Sequence, residues 1–458
     1  MNHIGIHPKD IRFKGNNTCN IFNNKYENGL IEIANFEKLK NILNEIYLEV
    51  KDDNQGNVAD YIPQLKNVDC ELFGIIFVSI DGLVIEVGDT KPIFCLQSCS
   101  KPITYGIALD IIGDENVHNF VGKEPSGRNF NELCLNEDGL PHNPLINSGA
   151  IMTTSLIKPE LSLSERFDYY FNYIKDLTCK TYISFNNSVY LSEKDSADRN
   201  YCLGYMMQEK KAFSEGIDKN VSKKLNRIWT INNLKENLEL YFQTCSIESS
   251  LLGIGLLSAT LANGGINPWN YKEIFKPETV KKILSIMSSC GMYDYSGEWN
   301  YQIGIPAKSG VSGLIYSVIP GIGGIATYSP KLDKIGNSYR GIQFFKMLSK
   351  KINIHNYEPQ NSNLLSIRNY DNNNKKILGF LLLEGCFKND LVLVKHSLSN
   401  GCDINFQDYD KRTALHIACE ENNEEIIQFL LDHGALYLKD RWENKPIIKN
   451  NNLKIENI

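Results

Sequence analysis

The chain has 458 residues, 42% hydrophobic and 22% charged, a globular composition with length for two or three domains. A net charge of −6 with no basic tract argues against nucleic acid and anionic membrane surfaces as partners. The apolar stretches around Leu251–Ala262 and Gly313–Ala326 are too short, or too interrupted by Gly and Pro, for a membrane span. In chain order, residues 1–57 read as a short helical N-terminal segment. Its one periodic run is Phe36–Val50, apolar at Leu39, Ile42, Leu43, Ile46 and Val50. Residues 58–355 form the expected main domain, in which strand-like runs (Leu72–Ile80, Gly82–Val87) alternate with helical ones. A turn signal at Ser79-Ile80-Asp81-Gly82 predicts a hairpin between the first two. Residues 356–375 are polar and Asn-rich and read as a linker, and residues 376–450 form a separate C-terminal segment.

Twelve cysteines are scattered, several inside apolar runs, and none forms a Cys-x-x-Cys pair. That usage fits a reducing compartment in which cysteine serves as a small core residue. The eight histidines do not cluster with cysteines or carboxylates at ligand spacing, so no metal site is expected. The N-terminus has neither an apolar core nor an Arg-rich, acid-poor amphipathic run. The cytoplasm is therefore the default compartment, with a mitochondrial address left open.

One short stretch carries chemistry, Leu96-Gln97-Ser98-Cys99-Ser100-Lys101-Pro102. Residues three apart on a helix share a face, so Ser98 and Lys101 can meet, whereas Ser100 points elsewhere. Pro102 is tolerated only in a first helical turn, which puts Ser98 at a helix N-terminus where a backbone N–H is unpaired. A hydroxyl beside a desolvated lysine, with an oxyanion donor at hand, is the arrangement that acyl transfer requires. The spacing alone is weak evidence, since Ser155 and Lys158 repeat it and the ordinary meaning of such a pair is a solvated helix face.

The C-terminal segment contains Thr413-Ala414-Leu415-His416, which resembles the ankyrin helix opening, and Gly401 and Gly434 recur at the ankyrin period of about 33 residues. One good repeat, Asp408–Leu436, follows a degraded one over Leu378–Ile404. So few repeats suit docking on the chain's own oligomer as readily as on a foreign protein.

Further motifs follow in order: Val58–Leu65 (VADYIPQL), VGKEPSG, LPHNPLINSGAI, DRNYCLGY, YFQTCSIE, LANGG, SCGMYDYSG, PAKSG and LDKIGNSYRG. Together with LQSCSKP they resemble the animal kidney/liver-type glutaminases over nearly all of residues 58–450. The resemblance implies an α+β, serine β-lactamase/transpeptidase-like catalytic domain with an antiparallel sheet and a helical subdomain, followed by helical ankyrin repeats. It implies hydrolysis of L-glutamine to L-glutamate and ammonia without a cofactor, by a homo-oligomer, a tetramer.

Site residues follow by the same resemblance. Ser98 is the nucleophile, Lys101 its base and Tyr293 a proton carrier near the leaving ammonia. Glu193 faces the substrate α-amino group, while Asn147, Asn200 and Tyr241 fall at substrate-contacting positions and Tyr61 and Gln97 line the pocket. Lys308, in Pro306–Gly310, resembles the lysine of the Lys-Ser/Thr-Gly strand in penicillin-recognising enzymes and supports the site. By that analogy the Val311 N–H supplies a second oxyanion donor. Taken singly, each has a bland meaning: a solvated carboxylate for Glu193, a wall residue for Tyr241 and Tyr293, a helix cap for Asn200. Two departures stand out. Glu215–Leu240 is longer than in the animal enzymes and is expected to form an external loop or helix. Glu132 replaces a lysine in the loop Ser126–Gly139 associated with phosphate activation, and a carboxylate repels phosphate, so weak or absent activation by that route is expected. The alternatives are a penicillin-binding or β-lactamase-type hydrolase, and an inactive ankyrin scaffold.

Overall fold

The computed structural model describes residues 35–127, 132–210, 231–358, 364–367, 370–399 and 402–448, which fall into two units divided at Arg368 and Asn369. The first unit opens with helix α1 (Phe36–Val50) and strands β1 (Gly74–Ser79), β2 (Val84–Gly88) and β3 (Phe94–Cys95). Helices α2 (Lys101–Ile112), α3 (Asn147–Ser155) and α4 (Leu163–Leu177) precede β4 (Ile183–Phe185). Next come α5 (Asn187–Asp195), α6 (Asp198–Glu209), α7 (Ile231–Cys245), β5 (Ile247–Ser249), α8 (Leu251–Ala262) and α9 (Pro277–Cys290). Strands β6 (Ala307–Ser309), β7 (Leu314–Ile319) and β8 (Gly323–Tyr328) and helix α10 (Tyr339–Lys351) complete it.

The hairpin forms at the anticipated turn, where Gly82 takes a φ of +85° and Leu83 N–H donates to Ser79 Oγ at 2.9 Å. From it grows a five-stranded sheet of order β2-β1-β8-β7-β6, antiparallel throughout. Strand side chains alternate faces, and both faces are covered. Ile76, Val78, Tyr316 and Ala326 enter the core on the α8 side, while Ile75, Phe77, Ile315 and Ile325 enter the core shared with α1 and α10. Helix α8 is buried on every side, so its apolar residues show no amphipathic period. It approaches the sheet closely because Gly255 and Gly324 leave room: a Cβ on Gly324 would stand 2.2 Å from Ser258 Cβ.

Helix α1 has the limits read from the sequence, and this part of the short N-terminal segment is a structural layer of the core. Its Leu39, Leu43, Ile46 and Val50 are buried against the sheet and α10. A second sheet of order β3-β5-β4 ties the strand before the Ser98 turn to the end of α7. Of the stretch expected to be an external loop or helix, residues 231–240 are the first part of α7, and residues 215–230 lie outside the described residues.

The second unit is helical: α11 (Tyr370–Lys388), α12 (Leu391–Ser399), α13 (Ala414–Glu420) and α14 (Glu424–Asp432). Helix α11 begins inside the stretch read as linker. The core here is Leu382, Cys386, Val394, Leu415, Ala418, Ile426 and Leu430. Thr413 N–H donates to His416 Nδ1 at 3.1 Å, so the His416 proton sits on Nε2, which faces the Asn444 carbonyl at 3.2 Å. The same loop recurs one repeat later. Asp408 Oδ1 accepts from the backbones of Asp410 and Arg412, and Asp440 Oδ1 from those of Trp442 and Asn444. No helix among the described residues is long and apolar enough to cross a membrane.

Candidate active site

The Gln97–Ser100 segment is a 3₁₀ turn, not the start of an α-helix; the α-helical part, α2, begins at Lys101 with Pro102 in its first turn. Residues three apart eclipse in a 3₁₀ turn, so Ser98 and Lys101 still share one face. Ser100 is turned away: its Oγ donates to the Gln97 carbonyl at 2.8 Å and is buried. The duplicate spacing at Ser155 and Lys158 makes no comparable pair. Ser155 Oγ is bonded to the Met152 carbonyl at 2.6 Å, and Lys158 lies 5.5 Å from the Tyr169 ring.

The Lys101 side chain is wholly buried, and its Nζ donates to Asn147 Oδ1 at 2.6 Å. Burial, and then the positive charge of Lys308, lower its pKa to about 7. Asn147, the first residue of α3, is a hub. Its Oδ1 also lies 3.3 Å from the Tyr241 hydroxyl, and its Nδ2 donates to Asn200 Oδ1 at 3.0 Å. Helix α7 delivers Tyr241 from one side and α6 delivers Asn200 from another.

Glu193, on α5, forms a second group. Its Oε1 accepts from the Tyr61 hydroxyl at 2.8 Å and from Gln97 Nε2 at 2.9 Å. Burial raises its pKa, and the two hydrogen bonds oppose that rise. Gln97 links the two groups, standing next to Ser98 with a φ of +49°. Tyr293 also has positive φ, +53°. Left-handed backbone at non-glycine residues costs roughly 1–3 kcal/mol and concentrates where geometry is dictated by function.

Strand β6 lies against the Ser98 turn: the Cys99 thiol is 3.6 Å from the Lys308 carbonyl, and a Cβ on Gly310 would stand 3.1 Å from the Cys99 sulfur. Lys308 is buried, its pKa lowered to about 8 chiefly by desolvation. Its Nζ sits 4.6 Å from the centre of the Tyr293 ring. Burial pushes the Tyr293 hydroxyl's pKa up, while its hydrogen bond with Ser98 works the other way. Val311 packs with Ile62, Leu65, Cys95 and Val189. Among the described residues, no backbone carbonyl of a turn, loop or cap accepts from the N–H of Ser98 or Val311.

Ser98, Lys101, Tyr293, Asn147, Glu193, Asn200, Tyr241, Tyr61, Gln97, Lys308 and Val311 therefore lie in or beside these two groups. Residues passed over also take part. Cys245, one helical turn after Tyr241, hydrogen-bonds with it, a neighbour that i, i+4 spacing could have flagged. A cavity of about 340 Å³ is lined by Tyr293 together with Ser126, Asn143, Ser289 and Asp294. Among the described residues there is no cluster of His, Cys, Asp or Glu able to hold a metal ion.

Comparison with known proteins decides the family. The glutaminase profile matches residues 56–357, and an ankyrin-repeat profile of three copies matches 369–450. The chain belongs to the glutaminase family. The mitochondrial liver isoform of glutaminase from Mus musculus is 40% identical over 421 residues, 91% of this chain and 67% of that protein. A glutaminase from Nostoc sp. is 38% identical over 331 residues, 72% of this chain and 93% of that protein. Among solved structures, the probable glutaminase ybaS superposes with a TM-score of 0.64 at 32% identity, covering 71% of this chain and all of that one. Mglu in its tris and glutamate form gives 0.62 at 32% identity, covering 70% and 68%. The chain is thus an α+β, β-lactamase-like amidohydrolase acting on L-glutamine, with C-terminal ankyrin repeats.

Proposed function

We propose that glutamine hydrolysis proceeds through an acyl-enzyme on Ser98 with Lys101 as the base. The observation that carries this reading is a buried lysine with a pKa near neutrality, three residues after a serine whose partner in the turn, Ser100, is bonded elsewhere. Neutral Lys101 gives one N–H to Asn147 and keeps its lone pair for the Ser98 proton. Ser98 Oγ then attacks the side-chain amide carbon, and the oxyanion is received by the N–H groups of Ser98 and Val311, with the positive potential of Lys308 nearby. The C–N bond breaks as the amide nitrogen takes a proton through Tyr293 or Lys101 and leaves as ammonia. Water then cleaves the ester and releases glutamate.

The zwitterionic head group needs an acceptor for its ammonium and donors for its carboxylate. Glu193, held by Tyr61 and Gln97, suits the first, and the amides and hydroxyl of Asn147, Asn200 and Tyr241 the second. Ammonia release by wild type, Ser98→Ala and Ser100→Ala tests the reading. We expect Ser100→Ala to retain turnover and Ser98→Ala to lose it by a factor of roughly 10³ or more. Turnover by Ser98→Ala near the wild-type level would overturn it. We also propose a homotetramer, and an ankyrin unit that docks on the oligomer or on a protein partner. The eleven described cysteines, all free, support a reducing compartment, the cytoplasm or the mitochondrial matrix.

A further inference from the structure

Helix α5, which carries Glu193, is poorly anchored by apolar packing. It has nine residues, of which only Val189 is buried, and a helix so short is not stable by itself. Polar contacts must therefore fix where it sits. At its start, Asn186 caps the helix by accepting from Val189 N–H at 3.0 Å and donates to Glu248 Oε1 at 2.7 Å. Toward its end, Tyr190 and Lys194, one turn apart on a single face, converge on Glu239 of α7. The Tyr190 hydroxyl donates to Oε2, and Lys194 Nζ lies 2.6 Å from Oε1. Glu193 projects from the adjoining face to Tyr61 and Gln97. Glu239 itself stands two residues before Tyr241, whose hydroxyl reaches Asn147. Its side chain is only 16% exposed, so this carboxylate is less screened than one in an open surface pair.

We propose that Glu239 is a positioning residue for substrate binding: by gripping Tyr190 and Lys194 together it locks α5 onto α7 and aims Glu193 at the substrate ammonium. The proposal rests on the role given to Glu193 above. Glu239 touches no substrate, and its effect is transmitted through the orientation of α5. Loss of this grip weakens recognition of the head group, which is felt in binding, while Ser98, Lys101 and Tyr293, on other elements, keep their geometry.

The test uses the full chain and measures steady-state kinetics with glutamine, glutamate binding and thermal melting for Glu239→Ala and Glu239→Gln. We expect Glu239→Ala to raise KM and the glutamate dissociation constant by roughly 5- to 10-fold with kcat within about 2-fold, and Glu239→Gln to fall between it and wild type. The exchange Glu239→Lys with Lys194→Glu should restore much of the lost affinity. Tyr190→Phe with Lys194→Met, which leaves Glu239 in place, should raise KM in the same way. An unchanged KM in these variants, or a lower melting temperature with reduced kcat at constant KM, would overturn the proposal by showing a purely structural contact. Glu193→Gln separates the two readings. If it raises KM and the Glu239 variants do not, positioning by Glu239 fails alone; if it leaves KM unchanged, the reading of Glu193 falls and this proposal with it.

Discussion

Replacing Lys308 by methionine should move the acidic limb of the pH–rate profile. The side chain is buried and of similar length, so Lys308→Met removes a charge with little change in volume. Burial and Lys308 together bring the Lys101 pKa from 10.5 down to about 7. That fall corresponds to ~5 kcal/mol of preference for the neutral amine at ~1.4 kcal/mol per decade. Burial is the larger cause and Lys308 the second, so the like charge accounts for less than half, ~1–2 kcal/mol. Without it, the Lys101 pKa should rise by ~1, and the limb of kcat/KM with it. The assay is ammonia release from glutamine between about pH 5.5 and 10, wild type beside variant, in one buffer series at constant ionic strength. Wild-type kcat/KM should rise with pH through about 7 as Lys101 loses its proton. The variant should be about 5-fold less active near pH 7, approaching tenfold below it, and regain most of that loss near pH 9, apart from any uniform drop from losing positive potential beside the oxyanion. A limb that stays in place while activity falls equally at every pH would refute the coupling of the two lysines. The same depressed pKa has a signature in stability. Above about 7 the unfolded chain holds a proton that folded Lys101 has released, so this group makes the fold more stable as pH rises from there to 10.5.

Glu193→Gln keeps the shape of the side chain but removes the charge facing the ammonium; a charge-assisted hydrogen bond is worth ~1.5–3 kcal/mol, so kcat/KM should fall by roughly 10- to 150-fold, mainly through KM, in the same kinetic assay. Leu43→Ala, at a fully buried position of α1, should lower unfolding free energy by ~2–5 kcal/mol in urea titration of the intact chain, and a change under about 0.5 kcal/mol would contradict the view of α1 as a core layer. Phosphate should raise activity by less than about 2-fold, since Glu132 presents a negative charge; a many-fold rise in wild type that Glu132→Ala lacks would show the opposite.

What the sequence determined by itself was local and compositional. The period of Phe36–Val50 set a helix with those limits, and the turn residues before Gly82 set the hairpin, because both depend on spacing and backbone freedom within one segment. Direction alone separates Ser98 from Ser100, and α and 3₁₀ geometry agree on this because both bring residues three apart onto one face. Tertiary structure decided everything that depends on partners distant in the chain. That α1 is a layer of the core and not an appendage follows from the apolar face of the sheet left for it by Ile75 and Phe77. That Lys101 titrates near neutrality follows from burial and from Lys308, more than 200 residues away in sequence, neither of which a Ser-x-x-Lys spacing encodes. Nothing in the sequence sets Glu239 apart from other carboxylates; only the folding of α5 onto α7 brings Tyr190 and Lys194 to its two oxygens. Spacing along a chain fixes which way neighbouring side chains point, but desolvation and the meeting of charges are properties of the packed molecule.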